Sequence, residues 1–206
     1  MRATTRFLVS LGTALTLGTI GLAGAQPAAA AGPIDDCANT RSWAGSGNWR
    51  LKATLFVPGD RKTHWAPRLT LRAGDVLRFR ASGTTQIATW GDHKGPWGNG
   101  WDDLAPADGR WPASGEPKYA LLVRPHYANA QVVSGVDAGH RLPAGTWYTS
   151  GADSDCLRIT RVIRHARYIP QFEFKVNDAN LGDNNDGFNV AIRLWRNCPG
   201  NIDPDC

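Results

Sequence analysis

One methionine, five lysines and two glutamates are all that a chain of 206 residues contains of those types. Glycoside hydrolases act through paired Asp or Glu carboxylates that leave no local signature. Glu116 and Glu173 are the whole stock of glutamate, and alternation turns Glu173 outward on a strand, so the acid supply for that chemistry is thin. No G-x-S-x-G elbow, H-E-x-x-H pair or phosphate-cradling glycine motif is present. The five histidines are scattered, no two cysteines form a C-x-x-C pair, and no histidine lies near Cys198 or Cys206 to complete a zinc site. Beyond residue 31 no apolar run could span a bilayer, which argues against stable membrane insertion. A net charge of +5, from 23 basic and 18 acidic residues, is too small a surplus for a nucleic-acid partner. The expectation is a protein that is not an enzyme.

What is present is globular: 42% hydrophobic and 20% charged residues, with 23 Gly, 13 Pro and an unusual nine Trp. Residues 1–31 read as a secretory signal peptide, with Arg2 and Arg6 as the positive start, an apolar stretch over residues 7–23 interrupted by glycines, and an alanine run ending at Ala31. Residues 32–206 then form a single domain, secreted and extracellular. Export permits disulfides, and all four cysteines follow the leader, with three possible pairings. The short, turn-rich segment between Cys198 and Cys206 favours their local closure, leaving Cys37 with Cys156. Neighbouring first and last strands would favour Cys37 with Cys198 instead.

Helical periodicity is nearly wanting, whereas period-two alternation recurs between Gly, Pro, Asp and Asn breaks. Leu51, Ala53, Leu55 and Val57 form one run, Leu69 and Leu71 a shorter one, and Leu77, Phe79 and Ala81 a third with arginines between them. Tyr119, Leu121 and Val123 follow, then residues 145–150 and 157–163. The clearest pair is Phe172, Phe174, Val176 and Phe188, Val190, Ile192, Leu194. About eight strands and no convincing helix predict an all-β fold, an antiparallel two-sheet jelly-roll sandwich. Residues 84–117 carry no pattern, hold Trp90, Trp97, Trp101 and Trp111, and exceed a passive connection in length.

Between the last two strands, residues 177–187 crowd together Asp178, Asp183, Asp186, Asn177, Asn180, Asn184 and Asn185. Carboxylates so close repel unless water or a cation neutralises them, and Ca²⁺ takes hard oxygens of this kind. An Asx-rich turn demands the same residues without any metal. An EF-hand does not fit, because twelve residues from Asp178 end at Asn189 and twelve from Asp183 at Leu194.

The Asn177-Asp178 pair, a four-residue spacer, Asp183-Asn184 and the strand from Phe188 resemble the calcium and sugar loop of the PA-IL family of galactose-binding bacterial lectins. Ala73-Gly74-Asp75-Val76-Leu77, Ala81-Ser82-Gly83 and Gly95-Pro96-Trp97-Gly98 are similar to that family's strand, turn and first binding loop, in the same order. The resemblance covers residues 69–195 and implies a galactose-binding-like sandwich. Asp178, Asp183 and Asn184 would be side-chain ligands of Ca²⁺, with backbone carbonyls from Asn180 and near Ile87. It implies a calcium-dependent lectin for galactose-type glycans, with a homo-oligomer allowed, and Asp186 stands where the family usually has Gly. The sugar would meet Asp178, Asp183 and Asn184, and indoles such as Trp97 and Trp101 can stack on its face. Two alternatives remain: a disulfide-stapled secreted sandwich with a structural or inhibitory role, and a small glycoside hydrolase.

Overall fold

The structure is a computed structural model that describes residues 33–39, 50–61, 63–66 and 69–196. It opens with one short helix, α1 (Pro33–Asn39), where the sequence pattern gave no sign of a helix. Proline at its start and Asp35 and Asp36 in its first turn suit a helix N-terminus. Seven residues are nonetheless too few to show periodicity or to be stable alone. Tertiary contacts hold it: Cys37 is fully buried with Val76 and Cys156, flanked by Ile34, Val133 and Trp195.

Eleven strands follow among the described residues: β1 (Arg50–Pro58), β2 (His64–Trp65), β3 (Val76–Gln86), β4 (His93–Lys94), β5 (Leu121–His126), β6 (Ala128–Val132), β7 (Arg141–Leu142), β8 (Tyr148–Thr149), β9 (Leu157–Val162), β10 (Gln171–Val176) and β11 (Asn185–Trp195). The larger sheet runs β1-β11-β3-β9-β6-β7 with β4 on the far end of β3, and the smaller runs β2-β10-β5-β8, all pairs antiparallel. The two sheets form the sandwich expected from the alternation.

The centre of its core is made of inward residues that the alternation marked. Leu55, Val57, Leu77, Phe79, Phe188, Val190 and Ile192 of the large sheet meet Leu121, Val123, Phe172, Phe174 and Val176 of the small one. Phe79 lies edge-on to both Phe172 and Phe174, ring centroids 5.0 and 5.2 Å away, and so ties the two layers at their middle. Three expectations need correction. Leu69 and Leu71 are buried but belong to no strand; the strand lies earlier, at His64–Trp65. Tyr119 does not begin β5, because its φ of +62° breaks the extended run. Glu173 does sit on the outward face of β10, yet its side chain is 1% exposed, covered by Arg124 and by His126, whose Nδ1 lies 2.8 Å away.

Cys37 and Cys156 are bonded, as expected, with Cα atoms 6.0 Å apart; Cys198, Cys206 and the leader lie outside the described residues. No helix among the described residues is long and apolar enough to cross a membrane. Two changes test this account by denaturant unfolding. Phe79→Ala should cost about 3–5 kcal/mol because it empties the contact between the sheets. Replacing Cys37 and Cys156 together by Ser should cost about 4 kcal/mol, since the bond closes a long loop of the unfolded chain.

Candidate functional site

β10 belongs to the small sheet and β11 to the large one, so the eight residues joining them cross from layer to layer at one pole of the sandwich. Asn177 opens the crossing. It is fully buried, and its Nδ2 donates to the carbonyls of Ala113, Glu116 and Pro117 while its Oδ1 accepts from the Ala113 amide. Its backbone carbonyl accepts from Tyr119, and its amide donates to Ala120. The patternless stretch before β5 is thus anchored to the end of β10, and Asn177 itself is consumed by that task.

Asp178, Asn180, Asp183 and Asn184 form one bonded cluster. Asp178 Oδ1 accepts from the Asn180 amide at 2.9 Å, an Asx turn, and Asn180 Nδ2 donates to Asp183 Oδ2 at 2.9 Å. Leu181–Asp183 is a single 3-10 turn capped by the Asn180 side chain, whose Oδ1 accepts from Gly182 N at 3.4 Å. Asn184 Nδ2 donates to the Gly59 carbonyl at 3.0 Å, which ties the crossing to the end of β1. Gly59 is obligatory there, because a Cβ would stand 2.1 Å from Thr85 Oγ1.

This bonding leaves a remainder. Asp178 Oδ2, Asp183 Oδ1 and Asn184 Oδ1 are each buried without a hydrogen-bond partner, in residues that are otherwise well satisfied. Buried polar atoms are nearly always paired, since leaving one unmet costs about 1–3 kcal/mol. Three such oxygens, all hard donors, lie on this one turn. Burial is the main cause that pushes the Asp178 carboxyl above its ordinary pKa, and the negative charge of Asp183 adds to it. The Asn180 amide and the Asn184 carboxamide pull the other way. Among the described residues no three His, Cys, Asp or Glu side chains converge on a metal-sized space. A cation at this turn would accordingly draw on two carboxylates, a carboxamide and backbone carbonyls, a mixture that suits Ca²⁺ and not Zn²⁺.

The other expected residues are placed less directly. Ile87 follows the rung that pairs Gln86 with Asn185, so its backbone leaves β3 beside the turn, and its amide donates to Asp92. Trp97, 46% exposed, rests its ring on Gly151, where a Cβ would stand 2.4 Å from the indole. One face of that ring is therefore taken by the fold. Trp101 is 54% exposed and sits in the turn whose Asp103 is held by Lys118 Nζ and Asn99 Nδ2, both at 2.7 Å. Neither indole is part of the bonded cluster. Asp186 has φ +59°, a left-handed conformation that glycine adopts freely and Asp tolerates.

Tyr119 is the residue that sequence reasoning missed. Its left-handed backbone turns it out of the strand, its ring meets Trp111 edge-on at 5.5 Å, and its amide is fixed to Asn177. Burial first, then the charges of Asp178, Asp103 and Asp183, push its phenol pKa up, so the ring lies within electrostatic reach of the acidic turn. Alternation hid it, because it fell in phase with Leu121 and Val123.

No protein-family model matches the chain, and no curated protein matches it. Among solved structures the chain is similar to one described as "EclA N-terminal domain; PllA-like lectin", at 14% identity and a TM-score of 0.30, covering 74% of this chain and all of that one.

Two substitutions separate the scaffold from the acidic turn. Asn177→Ala strands several buried backbone groups and should lower stability by about 2–4 kcal/mol in urea. Asp178→Asn should do the opposite in chelator. A raised carboxyl pKa means that the metal-free fold loses stability as pH climbs from the unfolded value through the folded one, so the neutral side chain should melt higher than wild type at pH 7.

Proposed function

We propose that this chain is a secreted calcium-dependent carbohydrate-binding protein that takes a neutral, galactose-type sugar through a vicinal diol at the acidic turn. The observation that carries this reading is the trio of buried, unpartnered oxygens on Asp178, Asp183 and Asn184. The resemblance of the same residues to the loop of galactose-binding lectins supports it. Asp178, Asp183 and Asn184 would hold Ca²⁺ by side-chain oxygens, with carbonyls from Asn180 and near Ile87 completing the protein's share. The bound cation would supply open coordination positions that accept two adjacent hydroxyls.

The remaining work falls to the chain. Carboxylate oxygens already facing the cation accept hydrogen bonds from the sugar hydroxyls, so both partners are satisfied at once. Negative charge on Asp178 and Asp183 repels anionic sugars from this pole and favours neutral ones. Trp101, exposed on the turn fastened to Lys118 and Asn99, supplies an aromatic wall, whereas Trp97 has one face committed to Gly151. Tyr119 borders the same turn from the β5 side. A site of this size gains few contacts per sugar, so useful avidity requires several copies, by oligomerisation or by multivalent display. The leader over residues 1–31 and the Cys37–Cys156 bond both suit export.

Calcium should raise the melting temperature, with a hundredfold excess over Kd adding about 2.7 kcal/mol. Asp178→Asn should lose that gain, and Asp186→Asn should keep most of it. Titration of galactose into calcium-loaded protein should give saturable heat that vanishes with chelator and in Asp183→Ala. Trp101→Ala should weaken sugar binding without touching the calcium effect. Full-strength sugar binding by Asp183→Ala, or identical melting in calcium and chelator, would show the turn to be merely a turn.

A further inference from the structure

β9, β6 and β7 close one side of the large sheet, and the chain there holds no acid. Residues 128–134, 139–150 and 157–170 carry Arg141, Arg158, Arg161, Arg164 and Arg167 but not one Asp or Glu, in a chain that has 18 of them. This side is also remote from the acidic turn. Val76 at one end of β3 pairs with Arg158, whereas Gln86 at the other end pairs with Asn185, so strand rise separates the two places by roughly 30 Å.

Pairing sets three of these arginines on one outward face. Leu157 and Ile159 of β9, Ala128, Ala130 and Val132 of β6, and Leu142 of β7 belong to the core, so the residues between them turn outward. Arg158 lies opposite Gln131, and Gln131 opposite Arg141, in one row across the strands. Thr160 is an extra residue against the rung from Asn129 to Ala130, and this bulge brings Arg161 opposite Asn129 on the same face. Strand geometry then puts Arg141 and Arg161 each roughly 7–10 Å from Arg158. All three are exposed. Arg110, Arg124 and Arg196 elsewhere in the fold each hold a carboxylate. By contrast, among the described residues no hydrogen bond or ion pair engages the guanidinium of Arg141, Arg158 or Arg161, nor that of Arg164 or Arg167 on the crossing to β10.

The surface beside Arg141 sinks into a hollow of about 290 Å³ whose lining includes Asn129, Gln131 and Thr160. Asn129 Oδ1 accepts from the Ala144 amide and Gln131 Nε2 donates to the Gly139 carbonyl, which leaves Asn129 Nδ2 and Gln131 Oε1 for hydroxyl groups. Guanidinium forks match the oxygens of carboxylates and sulfate esters. None of the exposed large hydrophobic residues lies on β6, β7 or β9. A lipid surface would find no apolar side chain to take in there, and a nucleic-acid strand no ring on which to stack a base. Spaced cations interleaved with carboxamides and a hydroxyl fit a polymer whose oxyanions alternate with hydroxyls.

We propose that the outward face of β7, β6 and β9 binds an acidic polysaccharide, its carboxylates or sulfate esters on Arg141, Arg158 and Arg161 and its hydroxyls on Asn129, Gln131 and Thr160. Arg164 and Arg167 extend the same path onto the crossing to β10. The face needs no metal and stands whether or not the acidic turn takes a neutral sugar. The test is titration of the full chain, in chelator, with an oligogalacturonate, a heparin oligosaccharide, neutral dextran, a single-stranded oligonucleotide of matched charge and phosphatidylserine vesicles. One or both acidic oligosaccharides should bind saturably, which tells carboxylate from sulfate, and should weaken as salt is raised. They should bind about tenfold tighter than the oligonucleotide or the vesicles, and dextran should not bind. Arg158→Gln with Arg161→Gln should cost about tenfold in affinity and leave the melting temperature near wild type. The same loss of charge through Arg61→Gln with Arg110→Gln should change affinity by less than about twofold. Asp183→Ala, which disables the acidic turn, should bind like wild type. The proposal is overturned if neither acidic oligosaccharide binds, if the oligonucleotide or the vesicles bind as tightly as they do, or if the Arg61 and Arg110 pair costs as much as the Arg158 and Arg161 pair.

Discussion

A single buried carboxamide, that of Asn177, is where the core, the long loop and the acidic turn meet. Its side chain satisfies backbone groups of Ala113, Glu116 and Pro117, while its own backbone is laddered to Tyr119 and Ala120. Those bonds turn a stretch with no periodicity into a fixed wall beside β10. They also set the starting direction of the next residue, Asp178, which is 6% exposed. The rigidity of the long loop is thus a condition for the geometry of the acidic turn.

The same division of labour recurs among the charges. On the small sheet Glu173 is buried, but Arg124 and His126 face it and Trp147 lies 4.3 Å beneath the Arg124 guanidinium, so its charge is compensated within the fold. Lys118, which shares Tyr119 as a neighbour with the acidic turn, is drawn to Asp103. Ion pairing thus meets the charge of Glu173, whereas Asp178 and Asp183 are held by hydrogen bonds from the Asn180 amide and carboxamide.

Much of this was legible in the sequence where side chains alternate strongly. Phe172 to Val176 and Phe188 to Leu194 carry bulky inward residues, and both appear as strands with the inward phase expected. β6 was overlooked because its inward residues are Ala128, Ala130 and Val132; burial alternates along it, but two methyl groups make too faint a pattern. α1 was overlooked because its cause is a distant disulfide. The acidic turn could be seen as a concentration of oxygen donors. Which oxygens would remain unmet depended on Gly59 and Asn180, whose hydrogen bonds are set by tertiary placement. Tyr119 was misassigned for a related reason: a positive φ leaves no mark on hydrophobic alternation.

The Cys37–Cys156 bond divides the chain into a covalent ring and a tail. The ring joins residues 119 positions apart and takes in β1 through β8, including the long tryptophan-rich loop, while β9, β10, the acidic turn and β11 follow it. A protease that cuts once in the exposed hairpin around Trp90 leaves both fragments joined through sulfur. A single cut in the acidic turn is different: it lies outside the ring, and β11 would then be held by its ladders to β1 and β3 and by its core packing, with no help from the Cys37–Cys156 bond. The architecture is consequently tolerant of nicking across its largest loop and vulnerable at one short turn, the one that carries the unmet oxygens.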